Sequence, residues 1–95
     1  MIKNTDVIEK VKIDKKEKLT DIYNLIVWND DVNTFENVIK TLMEVCKHEY
    51  SQAEQCAIII HHTDKCSVKN GDYYELYDMK DKISSRGIII TLELK

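Results

Sequence analysis

The chain has 95 residues and a mass of 11.2 kDa, enough for one hydrophobic core and too little for a two-domain enzyme. Apolar residues make up 43% and charged residues 33%, the balance of a soluble globular chain, and no apolar run approaches the ~18 residues of a membrane span. A formal charge of −3, from 14 cations and 17 anions, leaves no positive excess to neutralise phosphates, so neither nucleic acid nor membrane is expected as a partner.

The charge is uneven. Residues 1–20 carry six lysines against Asp6, Glu9, Asp14 and Glu17, a balance of +2, so the remaining 75 residues carry −5. Half of this stretch is charged and none of it is aromatic; such a composition buries too little surface to offset its ordering entropy, and we expect a flexible extension in which Val11 and Ile13 leave a short strand possible. It lacks the apolar segment and cleavage site of a secretory signal, which points to a cytoplasmic protein. Residues 21–95 read as one compact unit.

Ile22 to Trp28 is rich in β-branched and aromatic residues over a length that suits a strand. After the polar cluster Asn29 to Asn33, apolar residues at Phe35, Val38, Ile39, Leu42 and Cys46 follow one face of a helix running from about Thr34 to Lys47. Asn33 is the expected N-cap, with Glu36 completing a capping box. A second helix, bracketed by Ser51 and Glu54, presents Ala53, Cys56, Ala57 and Ile60 and ends near His61 and His62. Lys65 to Lys69 is a short strand, and Asp72 with Glu75 opens a third helix carrying Leu76, Met79 and Ile83. Gly87 supplies the stop, and Ile88 to Leu94 closes as a strand. The order β-α-α-β-α-β implies an α+β fold in which a small, mainly antiparallel three-stranded sheet packs against three helices.

Three chemistries are conceivable. A Cys/His nucleophile would pair Cys56 with His61, but the position of Cys56 on the apolar face favours core packing. A metal site could draw on His48, His61, His62, Cys56 and Cys66, yet these lack closely spaced ligand pairs, and adjacent helical histidines diverge by ~100°. Three cysteines without a C-x-x-C motif suit reduced, buried and chemically quiet thiols. The third possibility is a pocket at the strand-to-helix turn. There Asn29, Asp30 and Asp31 offer an amide carbonyl and two carboxylates, acceptors suited to an ammonium group, although an Asx-rich turn has the same composition.

The run Asn29-Asp30-Asp31 after an apolar strand, the helix opening Thr34-Phe35-Glu36, the I-I-I-H ending at His61 and the closing Thr91-Leu92-Glu93 together resemble the ClpS family, adaptors of the ATP-dependent Clp protease, over about Asp21 to Lys95. The resemblance implies a non-enzymatic protein without a cofactor. It implies that Asn29, Asp30, Asp31 and His61 bind the free α-amino group of an N-degron substrate. Asn33, Phe35, Val38, Ala57, Ile60 and Ile88 fall on the pocket for its first side chain, which would be Phe, Tyr, Trp or Leu. Glu75 and Lys80 fall on the face toward a hexameric Clp-type AAA+ unfoldase, of the ClpA or ClpC kind, which passes substrates to the Clp peptidase. The adaptor itself would be a monomer. Many members read N-D-D-Y-T-P-M, whereas this chain has Val32, Asn33, Thr34 and Phe35. The Met-type gate becomes Phe35 and a larger floor residue becomes Ala57, a slot expected to exclude β-branched first residues. The alternative is an interaction scaffold of the same fold that uses another surface, and it turns on whether Asn29 and His61 converge on one cavity.

Overall fold

Strand β1, Tyr23–Trp28, is the middle of the sheet, and its alternation decides where the core lies. Tyr23, Leu25 and Val27 point to one face and are at most 4% exposed, and this is the face the helices cover. The computed structural model describes residues 21–95; the flexible extension expected over residues 1–20, with its possible strand at Val11 and Ile13, lies outside them. Strand β2, Lys65–Gly71, and strand β3, Ile90–Leu94, flank β1 in the order β2-β1-β3, both antiparallel to it. In register, Trp28 faces Lys65 and Val27 faces Ile90, with an irregularity in the β1–β2 ladder between Leu25 and Ile26.

Helix α1 spans Phe35–Val45, α2 spans Tyr50–Thr63 and α3 spans Tyr73–Ser84. Their apolar faces meet the sheet through Ile39, Leu42 and Val45, through Ala53, Cys56, Ala57 and Ile60, and through Leu76 and Ile83. The β-α-α-β-α-β order and the antiparallel sheet are those expected from the sequence.

The caps differ in detail. Thr34, not Asn33, caps α1: its backbone is extended and its hydroxyl accepts the Asn37 N–H at 3.0 Å. Asn33 is unavailable as a cap because its own N–H and side chain are drawn into the preceding turn by Asp30. Ser51 does not cap α2 either. The helix starts two residues earlier than a Ser51 cap would place it, with Glu49 at the cap position and no side-chain hydrogen bond there. Its start is set from outside: Lys47 has a φ of 61° and reverses the chain, and the buried His48 donates Nε2–H to the Val68 carbonyl at 2.8 Å. Asp72 does cap α3, accepting the Glu75 N–H at 2.9 Å. Gly87 lies just beyond the α3 cap residue Ser85, with a φ of 82° that suits glycine. Strand β3 begins at Ile90 rather than Ile88, although the Trp28 N–H still reaches the Ile89 carbonyl at 2.9 Å. Cys46 and Cys56 are buried as expected, whereas Cys66 is half-buried.

Candidate functional site

The end of β1 and the end of α2 are joined directly. The Asn29 N–H donates to the Asp64 carbonyl at 2.8 Å, and Asp64, in the left-handed region at φ 78°, closes α2 through its own N–H to the Ile60 carbonyl at 2.9 Å. His61 sits in that final turn, so the turn after β1 and the histidine face each other across one junction.

The two aspartates of the turn have different work. Asp30 folds back on the chain: Oδ1 accepts the N–H groups of Val32 and Asn33, both at 2.7 Å, and Oδ2 accepts Asn33 Nδ2–H at 3.0 Å. These bonds, those from Asn33 foremost, hold its carboxyl below the ordinary carboxylate pKa against a smaller opposing effect of burial. Asn33 Nδ2 also donates to the Gly87 carbonyl at 2.9 Å and its Oδ1 accepts Asn37 Nδ2–H at 2.7 Å. One side chain thus ties the turn to α1 and to the segment before β3. Asp31 is exposed and makes no hydrogen bond or ion pair with the described residues, which leaves its carboxylate open to a cation.

Between this turn, α1 and α2 lies a cavity of about 440 Å³, lined by Asn29, Asp30, Asp31, Asn33, Thr34, Phe35, Val38, Ala57, Ile60 and His61. Its volume falls within the ~300–1,000 Å³ of small-ligand pockets. All four residues expected at the polar part of the site meet here, together with five of the six expected around a side chain. Phe35 is 39% exposed, as a residue at a rim would be, whereas Ala57 and Ile60 are buried. Thr34 joins the lining without having been singled out from the sequence. Its signal was its place between Asn33 and Phe35, where a hydroxyl also serves as a cap.

Ile88 is placed differently from the other five. It does not line the cavity but lies in the core at 4% exposed, because the strand-like alternation there turns Ile88 and Ile90 inward and Ile89 outward. Glu75 and Lys80 lie on α3, which contributes nothing to the cavity; Lys80 Nζ stands 5.7 Å from the centre of the Tyr77 ring.

The residues considered for other chemistry are placed elsewhere. Cys56 is buried outside the cavity lining, and its thiol is pushed up by the hydrogen bond it gives to Cys66 and by burial, the opposite of what a nucleophile needs. His48 holds the chain between α1 and α2 against β2, and burial lowers its pKa. His62 is exposed and its ring meets that of His61 edge-on. Among the described residues no group of three or more His, Cys, Asp or Glu side chains is placed to hold a metal ion, and no helix is long and apolar enough to cross a membrane.

Comparison with known proteins follows the same lines. The structure of Agrobacterium tumefaciens ClpS2 bound to L-phenylalaninamide is similar with a TM-score of 0.70 at 17% sequence identity, covering 79% of this chain and 98% of that one, a likeness of fold. No curated protein matches the sequence. The family model described as ATP-dependent Clp protease adaptor protein ClpS matches residues 18–88, most of the chain. On that match, and with the fold the family implies, the chain belongs to the ClpS family of Clp protease adaptors.

Proposed function

We propose that the cavity captures the free N-terminal residue of a substrate protein, and that the chain delivers such N-degron substrates to a Clp-type AAA+ unfoldase. The observation that carries this reading is the convergence of Asn29, Asp31 and His61 with Phe35, Val38, Ala57 and Ile60 on one cavity. An N-terminal residue has the complementary make-up, an ammonium group beside a side chain.

Asp31 supplies the negative charge, Asn29 its amide oxygen and His61 a ring nitrogen, three acceptors for three ammonium hydrogens. Asp30 acts behind them by fixing the turn. An acetylated N-terminus has lost its charge and two of its donors, and it would leave acceptors unpaired, the basis on which polar sites discriminate. Apolar contact with Phe35, Val38, Ala57 and Ile60 adds about 25 cal/mol per Å² buried, which ranks Phe, Tyr, Trp and Leu above Gly or Ser. The charge of −5 on residues 21–95 draws a cationic terminus toward the protein. What supports delivery is membership of the adaptor family, with Glu75 and Lys80 on α3 as the proposed contacts to the unfoldase. In this reading the chain acts as a cytoplasmic monomer and changes no bond of its substrate.

The reading is tested by titrating isotopically labelled protein with L-phenylalaninamide. Amide shifts should concentrate on Asn29–Phe35 and Ile60–Thr63, and N-acetyl-phenylalaninamide should leave them in place. Shifts confined to α3, or equal shifts from both compounds, would contradict it.

A further inference from the structure

We propose that a second cavity, at the start of α2 and beside β2, is an oxyanion site that takes hydrogen phosphate. It has a volume of about 390 Å³ and is lined by Lys47 and His48 from the α1–α2 connection, Gln52 from the first turn of α2, and Lys69 and Asn70 from β2, together with Cys46. His61 lies in the last turn of α2, so this cavity is separate from the one at the N-D-D turn, and the proposal is independent of what that one binds.

Its charge is the reverse of its surroundings. Residues 21–95 carry −5, yet two lysines and no Asp or Glu line this cavity. Cys46 adds no negative charge, because burial pushes its thiol up to about 11. The side chains of Lys47, Gln52, Lys69 and Asn70 make no hydrogen bond or ion pair with the described residues, which leaves two ammonium groups and two carboxamides free to donate. No side chain caps the start of α2, so the first N–H groups of that helix add partial positive charge at the same end.

His48 narrows the identity of the anion. It is 6% exposed, and Nε2, 2.8 Å from the Val68 carbonyl, must carry the proton of that hydrogen bond because a carbonyl can only accept. Burial foremost, reinforced by the charge of Lys69 and opposed by the bond to Val68, favours the neutral ring. Nδ1 is then a bare lone pair, buried and without a hydrogen-bond partner. It calls for a donor, whereas the lysines beside it call for an anion. Hydrogen phosphate meets both needs, with ionised oxygens for Lys47 and Lys69 and one P–OH to donate to Nδ1. Sulfate and carboxylates carry no such proton at pH 7, and a cationic donor would meet two lysines.

The test is titration of the isotopically labelled full chain with sodium phosphate at pH 7 and constant ionic strength, beside sodium sulfate and sodium chloride, read by amide and imidazole proton–nitrogen correlation spectra. The expected result is saturable shifts over Lys47–Gln52 and Ser67–Asn70 with a Kd of about 1–10 mM, movement of the His48 Nδ1 resonance, and sulfate binding at least about fivefold weaker. Lys47→Gln and Lys69→Gln alter side chains that bond to nothing else in the described fold; each should weaken phosphate about fivefold or more and leave the melting temperature in place. Shifts that fail to saturate by about 50 mM, that sulfate or chloride reproduces at equal concentration, that leave Nδ1 unmoved, or that persist undiminished in both lysine variants would overturn the proposal.

Discussion

The Asn29 N–H and the Asp64 carbonyl, 2.8 Å apart, join the turn after β1 to the end of α2 although the residues are 35 apart in the chain. This bond is why the N-D-D turn and His61 share a cavity. It depends on Asp64 holding a φ of 78°, which costs an L-residue conformational energy that glycine does not incur, less for Asp or Asn than for a branched side chain.

Asp64→Gly should therefore stabilise the fold by about 0.5–1 kcal/mol, and Asp64→Val, β-branched at positive φ, should destabilise it by about 1–2 kcal/mol. Denaturant unfolding of the two variants checks the order. Equal stability would show that the backbone at Asp64 is not under constraint.

The two neighbouring aspartates should separate stability from binding. Asp30→Ala removes three hydrogen bonds of the turn and should lower stability by about 1–2 kcal/mol. Asp31→Ala should leave stability within about 0.5 kcal/mol yet weaken a Phe-starting peptide about tenfold or more, the loss of one charge-assisted hydrogen bond. Thermal melts and peptide titrations on both variants decide this.

Asp30 also sets an acid limit. Its folded pKa is depressed, so the unfolded chain takes up its proton first, and stability present above the unfolded value of about 3.9 is lost as pH falls through the folded value. Asp30→Asn should flatten the part of the stability profile that falls as pH drops below about 4.

His48 acts in a higher window. Burial, its largest cause, lowers the folded pKa, so the neutral ring is favoured in the folded state and the unfolded chain binds a proton that the fold resists. Stability should be independent of this group above its unfolded value of about 6.5 and decline as pH falls below it, until the folded pKa is passed. His48→Gln, which keeps a donor for Val68, should reduce the decline that begins below about pH 6.5, measured by urea midpoints.

Phe35 at the rim and the small Ala57 on the buried side are the residues on which the proposed selectivity rests. Wild type should bind Val-starting peptides at least about tenfold more weakly than Phe-starting ones, since a branch at Cβ meets the rim where a ring attached through CH₂ does not. Phe35→Ala should narrow that gap to within about threefold. Equal affinities in wild type would remove Phe35 from this role.

The strands and helix faces were legible because their apolar residues recur at 2.0 and 3.6 residues, and the structure reproduces their order. The caps were less legible. Asn33, Thr34 and Ser51 all have capping chemistry, and the choice among them was made by a partner elsewhere, Asp30 in one case and the His48–Val68 contact in the other. The meeting of Asn29 with His61 follows from the left-handed backbone of Asp64, which no residue type announces. Ile88 shows the converse: the segment Ile88–Ile90 is uniformly apolar, so its sequence carries no alternation to tell which side chains turn inward. The different duties of Asp30 and Asp31 likewise depend on hydrogen-bond geometry that two identical side chains cannot display in sequence.

The most direct measurement is fluorescence anisotropy of a labelled peptide beginning with Phe, beside its N-acetylated twin and a Gly-starting peptide, each against wild type and Asp31→Ala. The predicted result is micromolar or tighter binding of the free Phe peptide to wild type alone. Equal binding of all three peptides, or binding of none, would contradict capture of the N-terminal residue by this cavity.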